Sequence, residues 1–287
     1  MRFGELGLQE QGPPHVKVTA SGGVPSARQA GGWEMEWLKL SSAQMASAIR
    51  ECGGVALIPI GSMESHGPHL PCGNDTLTAE RIAALAAERE PVLVLPSMAY
   101  TWEPQGRRNP GAVCLQAKVL IDHLENVCDE VARNGCRKIV LLQAHGGNVP
   151  MEAMFLGHVA ERRKQYAVYS IPPWAGLEPL IRELKESAWY GHACEVETSI
   201  SLCLYPELVH LEALGGRVYE PGPETPWWPA VTPLEYVVRN PEMCKGDPGK
   251  ASAEKGRRLV DAWVGNVVKV LRAVKEDALL PELMRQL

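Results

Sequence analysis

The chain has 287 residues and a formal net charge of -5, so it is long enough for one large domain with a full hydrophobic core. The acidic balance, and the lack of an arginine and lysine stripe with interleaved aromatic residues, argue against a nucleic-acid surface. We therefore expect a small-molecule partner. No apolar run approaches the about 18 residues of a membrane span, and the first residues lack the apolar core of a signal peptide.

The composition of the chain changes near residue 34. Residues 1–34 are rich in Gly, Pro, Gln and Ser and show no hydrophobic period, which is typical of an irregular arm. Residues 35–287 are predicted to form one domain, without a visible internal repeat.

The cysteine pattern bears on the cellular compartment. Eight cysteines are present without a C-x-x-C pair, and most of them lie inside apolar or periodic stretches. We interpret them as reduced thiols of a cytoplasmic protein.

Short apolar runs alternate with helical patterns along the predicted domain. The runs that predict buried strands cover residues 55–60, 92–95, 139–142 and 167–171. Helices are predicted over residues 37–49, 75–89, 120–134, 151–165, 177–188 and 259–274, with a further helical stretch ending at Leu204. Continuous apolar strands that alternate with helices indicate an α/β protein, a three-layer α/β/α sandwich with a mainly parallel sheet. Residues 97–116 form a long connection, and connections of this length are often functional.

The segment after the first strand carries several chemically active side chains. If the backbone remains extended beyond Ile60, Glu64 and His66 project to the same side, because side chains alternate along a strand. The glycine and proline turns that follow allow Asp75 to return to them. Ligands collect at the carboxyl ends of parallel strands, so these residues are expected to lie at a functional edge.

Two other segments deliver polar residues in the same way. His145 follows the third strand, and His192, Glu195 and Glu197 precede a helical stretch. Histidines and carboxylates converging on one sheet edge form a ligand set for two divalent ions of the Zn, Mn or Fe type, and Asp75 is our choice for a bridging carboxylate. A single His or Glu in a loop is more often solvated, but three such clusters at strand ends and helix starts are difficult to explain by chance.

Other motifs for small-molecule chemistry are missing. No Gly-x-Gly-x-x-Gly follows a strand, which argues against dinucleotide binding. Ser62 and Ser65 do not lie in a Gly-x-Ser-x-Gly elbow, which argues against a serine hydrolase.

Three motifs resemble those of the creatininase, or creatinine amidohydrolase, family. They are Gly-Ser-Met-Glu-Ser-His-Gly-Pro-His-Leu-Pro with Asn-Asp-Thr over 61–76, His-Gly-Gly-Asn over 145–148, and His-Ala-Cys-Glu-Val-Glu-Thr-Ser over 192–199. The resemblance extends from about residue 38 to 270 and implies a dinuclear hydrolase with a creatininase-like fold, usually assembled as a homohexamer. It further implies two metal-ligand sets, which are Glu64, Asp75 and His145 for one ion and His66, Asp75 and Glu195 for the other.

The chain departs from the family pattern in ways that concern the substrate. Creatininase proper has a glutamate at the position of Gly147 and no carboxylate at the position of Glu195, so the resemblance points to another branch. Those branches include formamide deformylases, a peptide-trimming enzyme and a hydrolase of oxidised inositols. The segment over 109–112 and Cys194 also differ from the common pattern, and both are expected near the substrate pocket.

The leading functional hypothesis is hydrolysis of a C–N bond in a small cyclic amide, formamide or peptide by a metal-activated water. His192 and Glu197 are the candidate catalytic residues. His192 would protonate the leaving nitrogen, and Glu197 would orient a metal ligand rather than bind metal itself. Trp174 is a candidate pocket residue that would exclude water, although a core position is equally consistent with the pattern. The exposed-looking pair Trp227 and Trp228 would instead serve a subunit interface.

Two alternatives stay open from the sequence. The same ions would support hydrolysis of a C–C bond in a cyclic polyol ketone. A metal-binding subunit without turnover would also hold such a site.

Overall fold

The computed structural model describes residues 35 to 286, so the predicted arm over 1–34 lies outside the described residues. The strands are β1 (Val55–Ile60), β2 (Leu93–Val94), β3 (Lys138–Gln143) and β4 (Ala167–Ile171). The α-helices are α1 (Ser42–Glu51), α2 (Asn74–Arg89), α3 (Ala117–Arg133), α4 (Val149–Glu161), α5 (Glu178–Leu184), α6 (Glu195–Leu204), α7 (Glu235–Arg239), α8 (Ala253–Glu276) and α9 (Leu279–Gln286).

The strands form one parallel sheet in the order β2-β1-β3-β4. The central pair, β1 and β3, is in register over its full length, from Val55 opposite Lys138 to Ile60 opposite Gln143. Since both central strands run in the same direction, their carboxyl ends meet at one edge of the sheet. Polar residues after these two strands are therefore neighbours in space.

The two faces of the sheet are covered by different helices, as alternation along each strand requires. Along β1, the side chains of Val55 and Leu57 pack against α2, α5, α6 and α8. Those of Ala56 and Ile58 pack in a second core with α1, α3, α4 and α9. The predicted α/β/α three-layer fold is confirmed.

Several predicted elements are shorter in the structure. The strand expected over 92–95 keeps two residues, because β2 is an edge strand and Pro96 ends it. The helix expected over 37–49 is divided into a 3-10 turn, Trp37–Lys39, and α1, which begins after Ser41 with the Ser41 amide donating to Gln44 Oε1 at 3.0 Å. The helix expected over 177–188 ends at Leu184.

No helix between residues 35 and 286 combines the length and the apolar character needed to cross a membrane. The longest of these helices, α8, is amphipathic and packs its apolar face into the core through Leu259, Trp263 and Val267.

Candidate dinuclear metal centre

The end of β1 is fastened to the first turn of α2. A side chain at Gly61 would place its Cβ 2.3 Å from the backbone nitrogen of Thr76, so only glycine permits this approach. Thr76 Oγ1 donates to the carbonyl of Ser62 at 2.9 Å, and Ser62 Oγ donates to Asp75 Oδ2 at 2.9 Å. These contacts fix Asp75 near the amino end of a helix, where the backbone dipoles favour a carboxylate.

Asp75 belongs to two groups of potential metal ligands. It lies with Glu64 and His145 in one group and with His66 and Glu197 in the other, and the ligand atoms within each group are no more than 4.8 Å apart. All five residues are buried. A third group joins Glu64, His66 and His192, so the three groups form one continuous cluster, here called the Asp75 cluster.

The individual contacts show which atoms face each other. His66 Nε2 lies 2.9 Å from Asp75 Oδ1, and His145 Nδ1 lies 2.9 Å from Asp75 Oδ2. The two carboxylate oxygens of Asp75 therefore point at different histidines, one in each ligand group. The other nitrogen of His66, Nδ1, lies 3.3 Å from the carbonyl oxygen of Glu64 and is the atom placed to donate a hydrogen.

The carboxylate oxygens and imidazole nitrogens of the Asp75 cluster are suited to binding cations. His145 Nδ1 is also 2.8 Å from Glu64 Oε1, so a single N–H at this nitrogen would have to be shared between the Glu64 and Asp75 carboxylates. Glu64 Oε1 is buried and has no aligned hydrogen-bond partner among residues 35–286. A buried oxygen of this kind costs free energy unless a donor or a cation satisfies it, and mixed imidazole and carboxylate sets suit divalent ions such as zinc.

The charges of the Asp75 cluster shift the pKa of its members. Burial alone would raise the pKa of Asp75, but the charges of His66 and His145 and their hydrogen bonds hold it well below its usual range. Burial alone would lower the pKa of His66, but Asp75, with smaller contributions from Glu64 and Glu197, raises it to about 10. The carboxylates thus require positive charge among them, supplied either by protons or by metal ions.

Glu197 enters the cluster from the first turn of α6. Its Oε2 accepts a hydrogen bond from the backbone amide of Ala193, a residue at φ 47° just before the helix. Burial raises the pKa of Glu197, while the charges of His192 and His66 oppose that shift. The Ala193 amide therefore holds the Glu197 carboxylate toward His66 and Asp75.

His192, a member of the third group of the Asp75 cluster, presents one free nitrogen to the other residues. Its Nε2 lies 2.8 Å from the carbonyl oxygen of Ser65, which accepts only, so Nε2 carries the hydrogen. Its Nδ1 lies 3.9 Å from Glu64 Oε1. The Nδ1 lone pair can therefore take up a proton on the side of the reacting groups.

A cleft of about 390 Å³ opens onto the Asp75 cluster. It is lined by the polar residues Glu64, His145, His192 and Glu197 and by the largely apolar side chains of Trp102, Trp174, Tyr236 and Met243. Trp174 follows β4 at φ 54°. A cleft with apolar walls and a few converging polar groups is typical of a small-molecule site.

Residues 38 to 271 match the family profile described as creatininase, creatinine amidohydrolase. The match spans most of the chain. The chain belongs to the creatininase family. It is therefore an enzyme of the creatininase family, as the three motifs predicted, and the alternative of a subunit without turnover is set aside.

Characterised relatives within the creatininase family have different activities. The chain is 27% identical over 257 residues to a 3-dehydro-scyllo-inosose hydrolase of Thermotoga maritima, covering 81% of each chain. It is 28% identical over 245 residues to a creatinine amidohydrolase of Pseudomonas putida, covering 76% of this chain and 88% of the relative. It is 29% identical over 225 residues to a mycofactocin precursor peptide peptidase of Mycobacterium tuberculosis, covering 74% and 82%.

Solved creatininase structures share the fold. A crystal structure of creatinine amidohydrolase superposes with a TM-score of 0.74 at 24% identity, covering 85% of this chain and 99% of that one. A manganese form of creatininase superposes with a TM-score of 0.72 at 23% identity, with the same coverage.

Glu195, which the resemblance assigned as a metal ligand, is not part of the Asp75 cluster. Its buried carboxylate accepts from the backbone amides of Glu186 and Ser187 and lies 2.6 Å from Lys255 Nζ. The side chains of Glu195 and Glu197 therefore project from opposite sides of α6. In this creatininase-family chain, Glu197 rather than Glu195 faces the second ligand group.

Cys194, predicted near the substrate pocket, does not line the cleft. It is buried within the core of the α2, α6 and α8 face, and burial raises the pKa of its thiol to about 12. As the residue before α6 it has an extended backbone, and its side chain turns into the core. All eight cysteines lie within residues 35–286 and are unpaired.

Several residues of the cleft were missed by sequence reasoning, among them Glu103, Trp102 and Tyr236. Glu103 and Trp102 come from the long connection over 97–116, and Tyr236 comes from α7. The length of the connection pointed to this loop, but no pattern distinguished Glu103 from the other charged residues of the chain.

Proposed function

We propose that the chain binds two divalent metal ions at the Asp75 cluster and hydrolyses a C–N bond in a small cyclic amide, formamide or peptide. The observation that carries the proposal is the position of Asp75, whose two carboxylate oxygens face His66 and His145 separately. A carboxylate shared between two ligand groups suits a site that holds two metal ions close together.

The proposed ligand sets follow the two groups around Asp75. Glu64, Asp75 and His145 would hold one ion, and His66, Asp75 and Glu197 would hold the other. Imidazole and carboxylate ligands suit zinc, manganese and iron, so we propose these three metals as the candidates. When bound, the ions would supply an acidified water and polarisation of the carbonyl group that is attacked.

The proton transfers are assigned to His192. Its Nε2 hydrogen is held by the Ser65 carbonyl, which leaves Nδ1 directed toward Glu64 at 3.9 Å. A neutral imidazole in this tautomer accepts a proton at Nδ1 when a water is deprotonated. It then returns that proton to the leaving nitrogen, so that one residue acts as base and then as acid.

The walls of the cleft set the substrate class. Trp102, Trp174 and Tyr236 offer flat apolar surfaces to a small ring or a peptide side chain. Trp174 would cover the pocket, as expected from the sequence. Position 147 is a glycine here, whereas creatininase proper has a glutamate there, so creatinine itself is not our proposed substrate.

A second candidate function is hydrolysis of a C–C bond in a cyclic polyol ketone. The similarity to the 3-dehydro-scyllo-inosose hydrolase, which covers 81% of both chains, supports it. The same cluster would then stabilise the negative charge that develops on the carbon leaving group, and His192 would protonate that carbon.

We further propose that the protein is cytoplasmic and forms a homo-oligomer, a hexamer by the resemblance, without nucleic-acid or membrane partners. Eight unpaired cysteines support a reducing compartment. Trp227, Trp228 and Val231 expose 43%, 58% and 89% of their surface, which suits a contact between subunits. Analytical ultracentrifugation of the purified protein tests the assembly.

The decisive experiment combines metal analysis with two substrate panels. The purified chain, reconstituted separately with Zn²⁺, Mn²⁺ and Fe²⁺, would be assayed against cyclic amides and formamides and against cyclic polyol ketones. About two ions per chain and turnover of an amide support the main proposal, and turnover of ketones alone selects the second candidate. Fewer than two ions in the active enzyme would refute the dinuclear site.

A further inference from the structure

Glu103 is a buried carboxylate for which the proposed reaction has no use. It is 3% exposed and lies at the wall of the cleft. Its loop is fixed to the sheet, because Thr101 Oγ1 donates to the carbonyl of Gly61 at 2.8 Å, directly after β1. The backbone amide of Gly106 donates to Glu103 Oε1. The carboxylate is thus held in place by its own loop, with Oε2 left for another partner.

That partner is His145. Oε2 of Glu103 lies 3.0 Å from His145 Nε2, and Nε2 has no aligned hydrogen-bond partner among the described residues. The other ring nitrogen, Nδ1, faces Glu64 and Asp75 at 2.8 Å and 2.9 Å. The imidazole therefore lies between the ligand carboxylates on one side and Glu103 on the other.

A neutral imidazole carries one hydrogen, and its position decides what the ring can do. If Nδ1 is to offer a lone pair to a cation beside Glu64 and Asp75, the hydrogen must be on Nε2. Glu103 is the carboxylate placed to accept it.

We propose that Glu103 is a positioning residue for His145: by accepting the Nε2 hydrogen, it fixes the tautomer and the orientation in which Nδ1 binds a metal ion. This inference depends on the proposed metal site. Carboxylates behind ligand histidines commonly raise the basicity of the ligand and strengthen metal binding.

Gly147 supplies the space for this contact. A Cβ built at Gly147 would lie 2.9 Å from Glu103 Oε2 and 2.3 Å from His145 Nε2. Any side chain at position 147 would therefore push the carboxylate and the ring apart. Gly147 therefore leaves space for the contact between Glu103 and His145, and Glu103 supplies the negative charge at that contact.

The test is metal affinity in Glu103→Gln, measured by competition for Zn²⁺ with a chromophoric chelator. An amide at position 103 must direct either its oxygen or its NH₂ group at His145, and it carries no charge in either case. We expect the affinity of Glu103→Gln for Zn²⁺ to be about 10-fold to 100-fold lower than that of the wild type. Gly147→Ala should weaken Zn²⁺ binding in the same direction.

A matched control exists on the surface of the protein. Glu125 lies 2.9 Å from His158 Nε2 in a pair of the same chemistry that joins α3 and α4. Glu125→Gln should leave Zn²⁺ affinity unchanged. The thermal midpoint of the chelator-treated protein separates two roles of Glu103. If Glu103 only supports the fold, Glu103→Gln should lower the midpoint and leave the Zn²⁺ affinity unchanged. If Glu103 positions His145, the Zn²⁺ affinity itself should fall.

A measurement on the unmodified protein keeps the inference testable if the variants do not fold. Nitrogen-15 NMR of histidine in the Zn²⁺-loaded protein reports which ring nitrogen carries hydrogen. We expect hydrogen on Nε2 of His145, and hydrogen on Nδ1 would overturn the inference. If the wild type binds Zn²⁺ and Glu103→Gln binds it equally well, the role of Glu103 is refuted while the metal site stands. If the wild type itself binds no metal, the proposed function fails first.

Discussion

Glu195 and Glu197 lie two residues apart in the first turn of α6, and their carboxylates leave opposite sides of the helix. Glu197 faces His66 and Asp75, whereas Glu195 lies 2.6 Å from Lys255 Nζ and accepts from the backbone of Ser187. One carboxylate therefore belongs to the Asp75 cluster. The other joins α6 to α8 and to the loop that precedes His192.

The two glutamates should respond differently to the same substitution. Glu197→Gln removes a proposed ligand of the second ion, so we expect metal content to fall by about one ion per chain, with little turnover remaining. Glu195→Gln should keep both ions but destabilise the fold by about 3 kcal/mol, because Lys255 loses a buried partner. Elemental analysis and urea unfolding of both variants separate the effects. Loss of an ion in Glu195→Gln would restore the original assignment.

The pair shows where sequence reasoning about this site succeeds and where it does not. Glu64 and His66 are also two residues apart, but they follow β1 in a non-helical segment, and they do converge on Asp75. In a strand, residues two apart share a side, while in a helix they are about 200° apart. The spacing alone could not decide between Glu195 and Glu197, because the answer depends on where α6 begins.

The fold could be predicted from the sequence, whereas the residues that form the walls of the cleft could not. Continuous apolar runs such as Val55–Ile60 report burial on both faces, and burial of this kind requires a parallel sheet between helices. Glu103 and Tyr236 gave no such signal. Glu103 reaches the cleft from the long connection over 97–116, and Tyr236 reaches it from the short helix α7. The paths of these segments are set by tertiary contacts, such as the hydrogen bond from Gln105 Nε2 to the carbonyl of Pro233 at 2.9 Å.

Asp75 is expected to be required for both ions. Its Oδ1 faces His66 and its Oδ2 faces His145, so Asp75→Asn removes the charge from both ligand groups together. We expect metal content to fall from about two ions to less than one, with activity below detection. Asp122→Asn, on the exposed face of α3, is the control and should keep both ions. Retention of one full ion in Asp75→Asn would show that the groups bind independently.

The metal-free protein should become less stable as pH rises. Its His66 pKa is raised from 6.5 to about 10 by Asp75, against the opposing effect of burial. A group whose pKa is raised by folding stabilises the chain fully below its unfolded pKa, and that contribution is lost as pH rises through the folded value. Urea midpoints of the chelator-treated protein should therefore fall between roughly pH 7 and 10. A flat profile would show that Asp75 does not hold His66 protonated.

Metal affinity should depend on pH in the opposite direction. The pKa of His145 is also raised, by Glu64 and Asp75 against burial, so a metal ion must displace protons from both histidines. The affinity for Zn²⁺ should rise about tenfold per pH unit for each proton displaced. Calorimetric titration in buffers of different ionisation enthalpy counts the released protons, and a count of zero would contradict this coupling.

His192→Ala is expected to separate proton transfer from metal binding. His192 Nε2 is held by the Ser65 carbonyl and Nδ1 lies 3.9 Å from Glu64 Oε1, so the ring is placed to carry a proton and its loss leaves both Asp75-centred ligand groups intact. We expect about two ions per chain and a kcat lower by about 10² to 10⁴.

Added imidazole should restore part of the rate of His192→Ala, since the substitution leaves space beside Tyr236, whose ring lies edge-on 6.1 Å from that of His192. His158→Ala, which removes a histidine on α4, should keep the wild-type rate. If His192→Ala instead lost an ion, His192 would be a ligand through the group that it forms with Glu64 and His66, and the base would have to be sought elsewhere in the cleft.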